Sequence, residues 1–265
     1  MVEVVDKVDF GDIILYNADC FSVFPEIPSG SVDLILADLP YGTTACKWDS
    51  VLPLDKLWAE YNRITKDNAA MVLTAAQPFT WKLCASNPEA FRYEIIWEKP
   101  NGTNPMLVKK QPFRVHENIL VFYKKQPTYN PQMSTGAVYS GFIDEPVAEQ
   151  NILPFGEKPT QKTIGEVYGE GTISHHRQNE GTRYPRSVQK FSQDRSGHPT
   201  KKPVELFRWL IRTYSNPGDL VLDNTMGEGT TAVAALLEER KCIGIELEKK
   251  YFDRAVQDVK GLSDV

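Results

Sequence analysis

The sequence predicts an α/β protein built on a doubly wound, mostly parallel sheet. Three observations predict it. Short apolar runs alternate with helix-spaced segments on either side of an irregular middle. A turn with two glycines, Asp223-Asn224-Thr225-Met226-Gly227-Glu228-Gly229-Thr230-Thr231, joins a strand to a helix. The tetrapeptide Asp38-Leu39-Pro40-Tyr41 stands at the end of the apolar run 32–37. In open α/β sheets the carboxyl ends of strands are where ligands bind.

The elements follow in order. Residues 13–16 read as a strand ending at Asn17-Ala18-Asp19, and residues 32–37 as the next. Leu54, Leu57, Trp58 and Tyr61 share one helical face. A strand over 70–74, a helix over 78–85 and strands over 93–97 and 118–123 complete the first part. From about 124 to 199 glycines and prolines break every period, a stretch too long for a plain loop in a compact domain. An inserted, loop-rich subdomain is expected there. Order returns with a helix over 203–214, stopped by Asn216-Pro217-Gly218-Asp219. A strand over 220–223, a helix over 230–239, a strand over 241–247 and a last helix over 249–259 follow.

The 265 residues suffice for one large α/β domain with a sizeable insertion. At 41% hydrophobic and 25% charged the composition is that of a soluble globular protein. The net charge of −5 gives no global basic signature for nucleic acid, although a basic cleft can sit on an acidic protein. Cys20, Cys46, Cys84 and Cys242 have neither zinc nor redox spacing and fit a reducing cytoplasm. None follows a proline, so the Pro-Cys nucleophile of cytosine-C5 methylating enzymes is absent. No metal site is expected. The acidic N-terminal residues do not form a signal peptide, and no run of roughly 18 apolar residues predicts a membrane span.

Asp38-Leu39-Pro40-Tyr41 offers an acceptor carboxylate, backbone carbonyls in a stiff turn and a flat ring. Together these suit a planar, amino-substituted base; alone, Asp-x-Pro after a strand is a common turn. The glycine loop lets a ligand approach the backbone closely. Asp223 and Glu228 make it acidic, which disfavours phosphate and favours a ligand carrying positive charge. Glu246 follows Gly227 by about twenty residues, the spacing of a ribose-binding acid in nucleotide-binding α/β folds.

The glycine loop and Asp38-Leu39-Pro40-Tyr41 together resemble the amino-methyltransferases of DNA. The motif order, with the Asp38 segment first and the glycine loop last, resembles that family's β group. His198-Pro199-Thr200-Lys201-Lys202-Pro203 is similar to the family's His-Pro-Thr-Gln-Lys-Pro, with Lys201 for Gln. Asn17-Ala18-Asp19-Cys20 and Trp97-Glu98-Lys99-Pro100-Asn101 resemble further segments. The usual Asp-Pro-Pro-Tyr carries Leu39 for its first proline, but that position offers mainly its carbonyl. Gly42 stands where many β-group members have Asn, and residues 43–49 are expected to form a mobile loop over the pocket.

The resemblance implies a circularly permuted, Rossmann-like methyltransferase fold that uses S-adenosylmethionine, yields S-adenosylhomocysteine and needs no metal. It divides the chain into a catalytic half (1–125), an inserted target-recognition region (126–197) and a cofactor-binding half (198–265). It assigns catalysis to Asp38, Leu39, Pro40 and Tyr41. Cofactor binding falls to Asp19, Asp38, Thr200, Lys202, Asp223, Gly227, Gly229, Thr230 and Glu246. Thr200 and Lys202 would hold the methionine carboxylate, and Asp19 would accept from the cofactor's adenine. Asp38 and the Leu39 carbonyl would accept the two amine hydrogens, and Tyr41 would stack on the base. The expected substrate is the N6 amine of an adenine flipped out of double-stranded DNA. Cytosine N4 is the alternative, and an inactive DNA-binding protein on the same scaffold the other.

Basic residues cluster beside and within the irregular middle. Lys99, Lys109, Lys110, Arg114, Arg183 and Arg186 are the candidates for contact with DNA. Glu117 is the only acid within the first of these clusters. A nicotinamide-dependent dehydrogenase would also use a glycine loop and Glu246, but leaves Asp38-Leu39-Pro40-Tyr41 unexplained. The β-group resemblance alone admits a homodimer. The expected setting is the cytoplasm of a bacterium or archaeon, or a phage-encoded enzyme.

Overall fold

The computed structural model describes residues 6–43, 49–102, 104–135, 139–140, 178–179, 181–192 and 202–263. Two compact units emerge, Met1–Gln132 with Arg186–Val265, and Met133–Pro185. Thr200 with its neighbours His198, Pro199 and Lys201, and most of the pocket loop (44–48), lie outside the described residues, as does most of the irregular middle.

The larger unit carries a nine-stranded sheet. In chain order its strands are β1 (Asp6–Asp9), β2 (Ile13–Asn17), β3 (Val32–Asp38), β4 (Thr65–Ala75), β5 (Phe91–Glu98) and β6 (His116–Phe122). In the smaller unit, β7 (Ser134–Thr135) and β10 (Thr182–Arg183) pair antiparallel, and so do β8 (Tyr139–Ser140) and β9 (Gln178–Asn179). Back in the larger unit come β11 (Val188–Lys190), β12 (Leu220–Asp223) and β13 (Lys241–Glu246). The spatial order is β1-β2-β13-β12-β3-β4-β6-β5-β11. β2, β13, β12, β3 and β4 run parallel to one another, while β1 is antiparallel to β2 and β6 is antiparallel to both β4 and β5.

The expected doubly wound sheet is therefore present. β3 shows why its sequence is continuously apolar: Leu34 and Leu36 enter one core, Ile35 and Ala37 the other. The first core packs under α4 (Val204–Tyr214), α5 (Thr230–Leu237) and α6 (Lys249–Ser263). The second packs under α1 (Cys20–Val23), α2 (Leu54–Ile64) and α3 (Phe79–Ser86). On α2 the buried residues are Leu57, Trp58, Tyr61 and Ile64, one helical stripe. Each such side chain contributes about 1.5–3 kcal/mol by leaving water.

Two edge strands escape the sequence reading. β1 is four residues of alternating charge with no buried position. β11 lies in the stretch read as irregular and pairs parallel with β5 through Val188↔Ile96 and Lys190↔Glu98. β4 also begins five residues before the expected 70–74 strand, at Thr65, because α2 hands over to it without a loop. The polar residues Lys66, Asp67 and Asn68 are exposed there and carry no strand periodicity.

Candidate active site

β12 and β3 are parallel neighbours, paired through Val221↔Leu34 and Leu222↔Ile35. From β12 the chain passes through α5 to β13 on one side, while β3 lies on the other. The carboxyl ends of these strands flank the crevice where the strand order reverses. A cleft of about 450 Å³ opens there.

The glycine loop forms one side of this cleft. Asp223 is buried at the end of β12 and accepts from the Thr225 N–H at 3.0 Å and from the Thr231 hydroxyl. It therefore knots the loop onto the first turn of α5. Burial pushes its carboxyl up to about 7. Gly227 donates its N–H to Glu246 Oε2 at 2.9 Å, and Glu248 donates to Oε1 at 2.8 Å. Each Glu246 oxygen retains a further lone pair for a ligand hydroxyl. Burial raises the Glu246 carboxyl above its ordinary value.

Gly229 is not among the residues lining the cleft. It caps α5 with φ +80°, and a Cβ there would come within 2.7 Å of Ala255 Cβ on α6. Its glycine serves helix packing, whereas Gly227 and Thr230 face the cleft. Asp19 lines the cleft and also caps α1, accepting from the Phe21 N–H at 2.7 Å.

Asp38 ends β3 in the row of Leu34 and Leu36, on the face that α4 covers. Lys202 leads into α4 from the same side, and its Nζ lies 2.7 Å from Asp38 Oδ2. Asp38 Oδ1 accepts from the Tyr41 hydroxyl at 2.8 Å and from the Thr74 hydroxyl. The Tyr41 ring stacks on Phe79 with centroids 5.3 Å apart and planes 22° apart. Burial, then Asp38, push the Tyr41 hydroxyl well above its usual range, so it is a donor throughout the physiological range. Leu39 is buried, with 2% of its surface exposed, and it and Pro40 line the cleft. The Leu39 side chain thus packs into the second core.

Gly42 follows with φ +69°, and a Cβ there would meet Val51 Cγ2 at 2.8 Å. Its N–H and that of Thr43 donate to the Asp49 carboxylate at 2.8 and 2.9 Å. Asp49 so pins the two ends of the loop beyond Tyr41.

Lys99 requires a correction. Expected to meet phosphate, it is 6% exposed, and its ammonium is committed to Glu117 beneath the Trp97 ring. A buried ammonium paired with a carboxylate does not serve as a phosphate contact. Arg114 lines the cleft, Lys109, Lys110 and Arg186 are exposed, and Arg183 lies in the smaller unit. Glu117, Thr74, Thr225 and Asn224 are site residues that sequence reasoning missed. Glu117 stood out only as a lone acid among basic residues, and nothing in its spacing points to Lys99 or Lys202.

A nucleotide-sized cleft at the switch point of a mostly parallel sheet, with an acid at the end of the second strand, is a Rossmann-like arrangement, and the solved structures that share this fold are S-adenosylmethionine-dependent DNA methyltransferases. A DNA methylase family model, covering N6 and N4 enzymes, matches residues 32–257, and the chain belongs to that family. It is 47% identical over 244 residues to the putative methylase YubD of Escherichia coli K12, covering 89% of this chain and 85% of that protein. It is 27% identical over 263 residues to the type II methyltransferase M1.MboII of Moraxella bovis, covering 91% and 94%. Among solved structures, the M1.HpyAVI–SAM complex matches with a TM-score of 0.60 and 25% identity over 92% of this chain and 98% of that one. The cytosine-N4-specific PvuII DNA methyltransferase matches with a TM-score of 0.63, 15% identity and coverage of 95% and 91%, a likeness of fold.

The M1.HpyAVI structure that this chain resembles is a complex with S-adenosylmethionine. The residues present fit this cofactor. Asp19, Glu228 and Glu246 give the cleft the negative charge that a sulfonium and an amino group need. The Asn224 amide nitrogen is buried in its wall with no hydrogen-bond partner among the described residues.

Proposed function

We propose that the protein methylates the N6 amine of adenine at specific sites in double-stranded DNA, with the target base flipped into the cleft. The observation that carries this reading is the position of Asp38: a carboxylate fixed by Tyr41 and Thr74 at the end of β3, beside the glycine loop on β12. The Asp in the family-like motif goes with adenine more often than cytosine. The relative called DNA adenine methyltransferase YhdJ, 28% identical over 256 residues and covering 89% of this chain and 79% of that protein, supports the same base.

When bound, S-adenosylmethionine supplies an electrophilic methyl group. The chain's own residues do the rest by position. An exocyclic amine conjugated to its ring is a poor nucleophile. Accepting its two hydrogens at Asp38 and at the Leu39 carbonyl favours a pyramidal nitrogen with its lone pair directed across the cleft. The proton released after transfer passes to solvent. Asp19, Lys202, Asp223, Gly227, Thr230 and Glu246 hold the cofactor in this reading, together with Thr200. Gly229 supports the loop from behind.

The region 126–197 would recognise the target sequence, with Lys109, Lys110, Arg114, Arg183 and Arg186 against phosphates. Membership of the β group, a homodimer and work in the bacterial cytoplasm complete the proposal. No helix among the described residues is long and apolar enough to cross a membrane.

The test is to incubate the protein with unmethylated DNA and methyl-labelled S-adenosylmethionine, digest to nucleosides and identify the labelled one. Label in N6-methyladenine, lost in Asp38→Ala, is expected. Label in N4-methylcytosine would move the activity to the other base. Absence of label in any DNA nucleoside, with cofactor bound, would refute DNA as the substrate.

A further inference from the structure

Four charged side chains that line the cleft, three of them largely buried, are linked in series from Asp38 to Lys99. Lys202 stands 2.7 Å from Asp38 Oδ2 and 3.2 Å from Glu117 Oε2, and Lys99 pairs with Glu117 Oε1. The Lys202, Glu117 and Lys99 side chains are 8%, 12% and 4% exposed. Two acids and two ammonium groups leave the line neutral. Burial works to lower the Lys202 ammonium, but Asp38 and Glu117 outweigh it and hold its proton firmly. Burial works to raise the Glu117 carboxyl, but Lys202 and Lys99 outweigh it and keep it ionised.

Two details are unexplained by charge balance alone. Asp38 Oδ1 already accepts from two hydroxyls, so Oδ2, where Lys202 sits, is the oxygen a target amine must reach. Glu117 Oε2 is buried and has no well-aligned hydrogen bond, although the Lys202 ammonium lies 3.2 Å away, within ion-pair range. An acceptor is therefore held ready beside an ammonium that has to move. If Asp38 were its sole partner, displacing Lys202 would strand a buried charge.

We propose that Glu117 is a positioning residue for methyl transfer: a second anchorage for Lys202 that frees Asp38 Oδ2 for the target amine, resting on the assignment of Asp38 as the amine's acceptor. Lys202 swings by a side-chain rotation between two carboxylates and never loses a counter-charge. An ammonium has three donors, so one stays available for the methionine carboxylate in either arrangement. Lys99 keeps Glu117 ionised while Lys202 is on Asp38.

The test compares wild type, Glu117→Gln and Glu117→Gln/Lys99→Met. The double variant restores neutrality but leaves Lys202 with Asp38 as its one carboxylate. Three quantities are read: the thermal midpoint, the cofactor dissociation constant by calorimetry, and the rate of labelled methyl incorporation with DNA and cofactor saturating. The expected result for the double variant is a midpoint within a few degrees of wild type, cofactor binding within threefold, and a rate at least tenfold lower. A rate within threefold of wild type would overturn the proposal, because neutrality would then be all that Glu117 supplies. Loss of the cooperative unfolding transition, or cofactor binding weakened tenfold or more, would overturn it too, by making Glu117 a folding or cofactor residue. Wild type on the same DNA is the control: if it transfers no methyl group, the assignment of DNA as substrate has failed instead.

Discussion

Thr225 donates its hydroxyl to the backbone carbonyl of Asp38 at 3.1 Å. This bond ties the glycine loop to the end of β3, so the two sides of the cleft hold one another in place. Thr225→Val keeps the shape and removes the donor. One hydrogen bond of this kind contributes about 0.5–1.5 kcal/mol. We expect a stability loss of that size in denaturant titration and a larger proportional fall in turnover, with Thr225→Ser recovering both.

Glu246 is organised by two backbone donors before any ligand arrives. Glu246→Ala removes an ionised acceptor, and hydrogen bonds to charged groups are worth about 1.5–3 kcal/mol. Calorimetry should show cofactor binding weakened by roughly 10- to 100-fold. DNA affinity, read by fluorescence anisotropy, should stay near wild type, since Glu246 ends β13 on the glycine-loop side.

Asp223 links stability to pH. Its carboxyl is raised to about 7 in the folded chain, against about 3.9 in an unfolded one. The folded state therefore binds the extra proton, and the contribution is fully present below pH 4 and lost as pH rises through 7. Between pH 5 and pH 8 the loss from this group is about 2.5 kcal/mol. Urea titrations at the two pH values should show a smaller difference for Asp223→Asn than for wild type. An equal difference would mean that the carboxylate is not the source.

Gly229→Ala forces a Cβ against Ala255 at a left-handed backbone position. Overpacking of this kind costs about 1–3 kcal/mol, and the left-handed conformation adds about 1–2 kcal/mol. The denaturation midpoint should fall accordingly, while Gly11→Ala, where φ is also positive but nothing crowds the Cβ, should cost less.

Lys109 and Lys110 are exposed, whereas Lys99 is not. Lys109→Ala/Lys110→Ala should reduce the slope of log affinity for DNA against log salt by about 1.8. Lys99→Met should leave that slope unchanged and act on turnover.

The two chemical poles of the cleft were legible because each occupies one short segment. Asp38 to Tyr41 follow a strand, and Asp223 to Thr231 join strand to helix, so local pattern suffices. The contacts between them were not legible. Lys202 reaches Asp38, and Thr225 reaches the Asp38 carbonyl, across distances in sequence that no periodicity spans. Lys99 misled for the same reason: its basic neighbours suggested a phosphate surface, while its partner Glu117 looked like an exception within that surface. The sheet's parallel centre follows from apolar runs buried on both faces. β1 and β11 do not follow, because edge strands this short carry their hydrogen bonds in the backbone and little signal in their side chains.

The pairing of β12 with β3 bears on how the chain is made. Synthesis completes β3, β4, β5 and β6 well before β12, so the nascent sheet has one edge of its most apolar strand uncovered. An uncovered apolar edge is a template for mispairing. Closing it requires a partner separated by the whole intervening segment, a slow step in contact-order terms. The vulnerable interval ends when β12 docks. That same docking brings Thr225 to Asp38, so protection from aggregation and assembly of the cleft are one event.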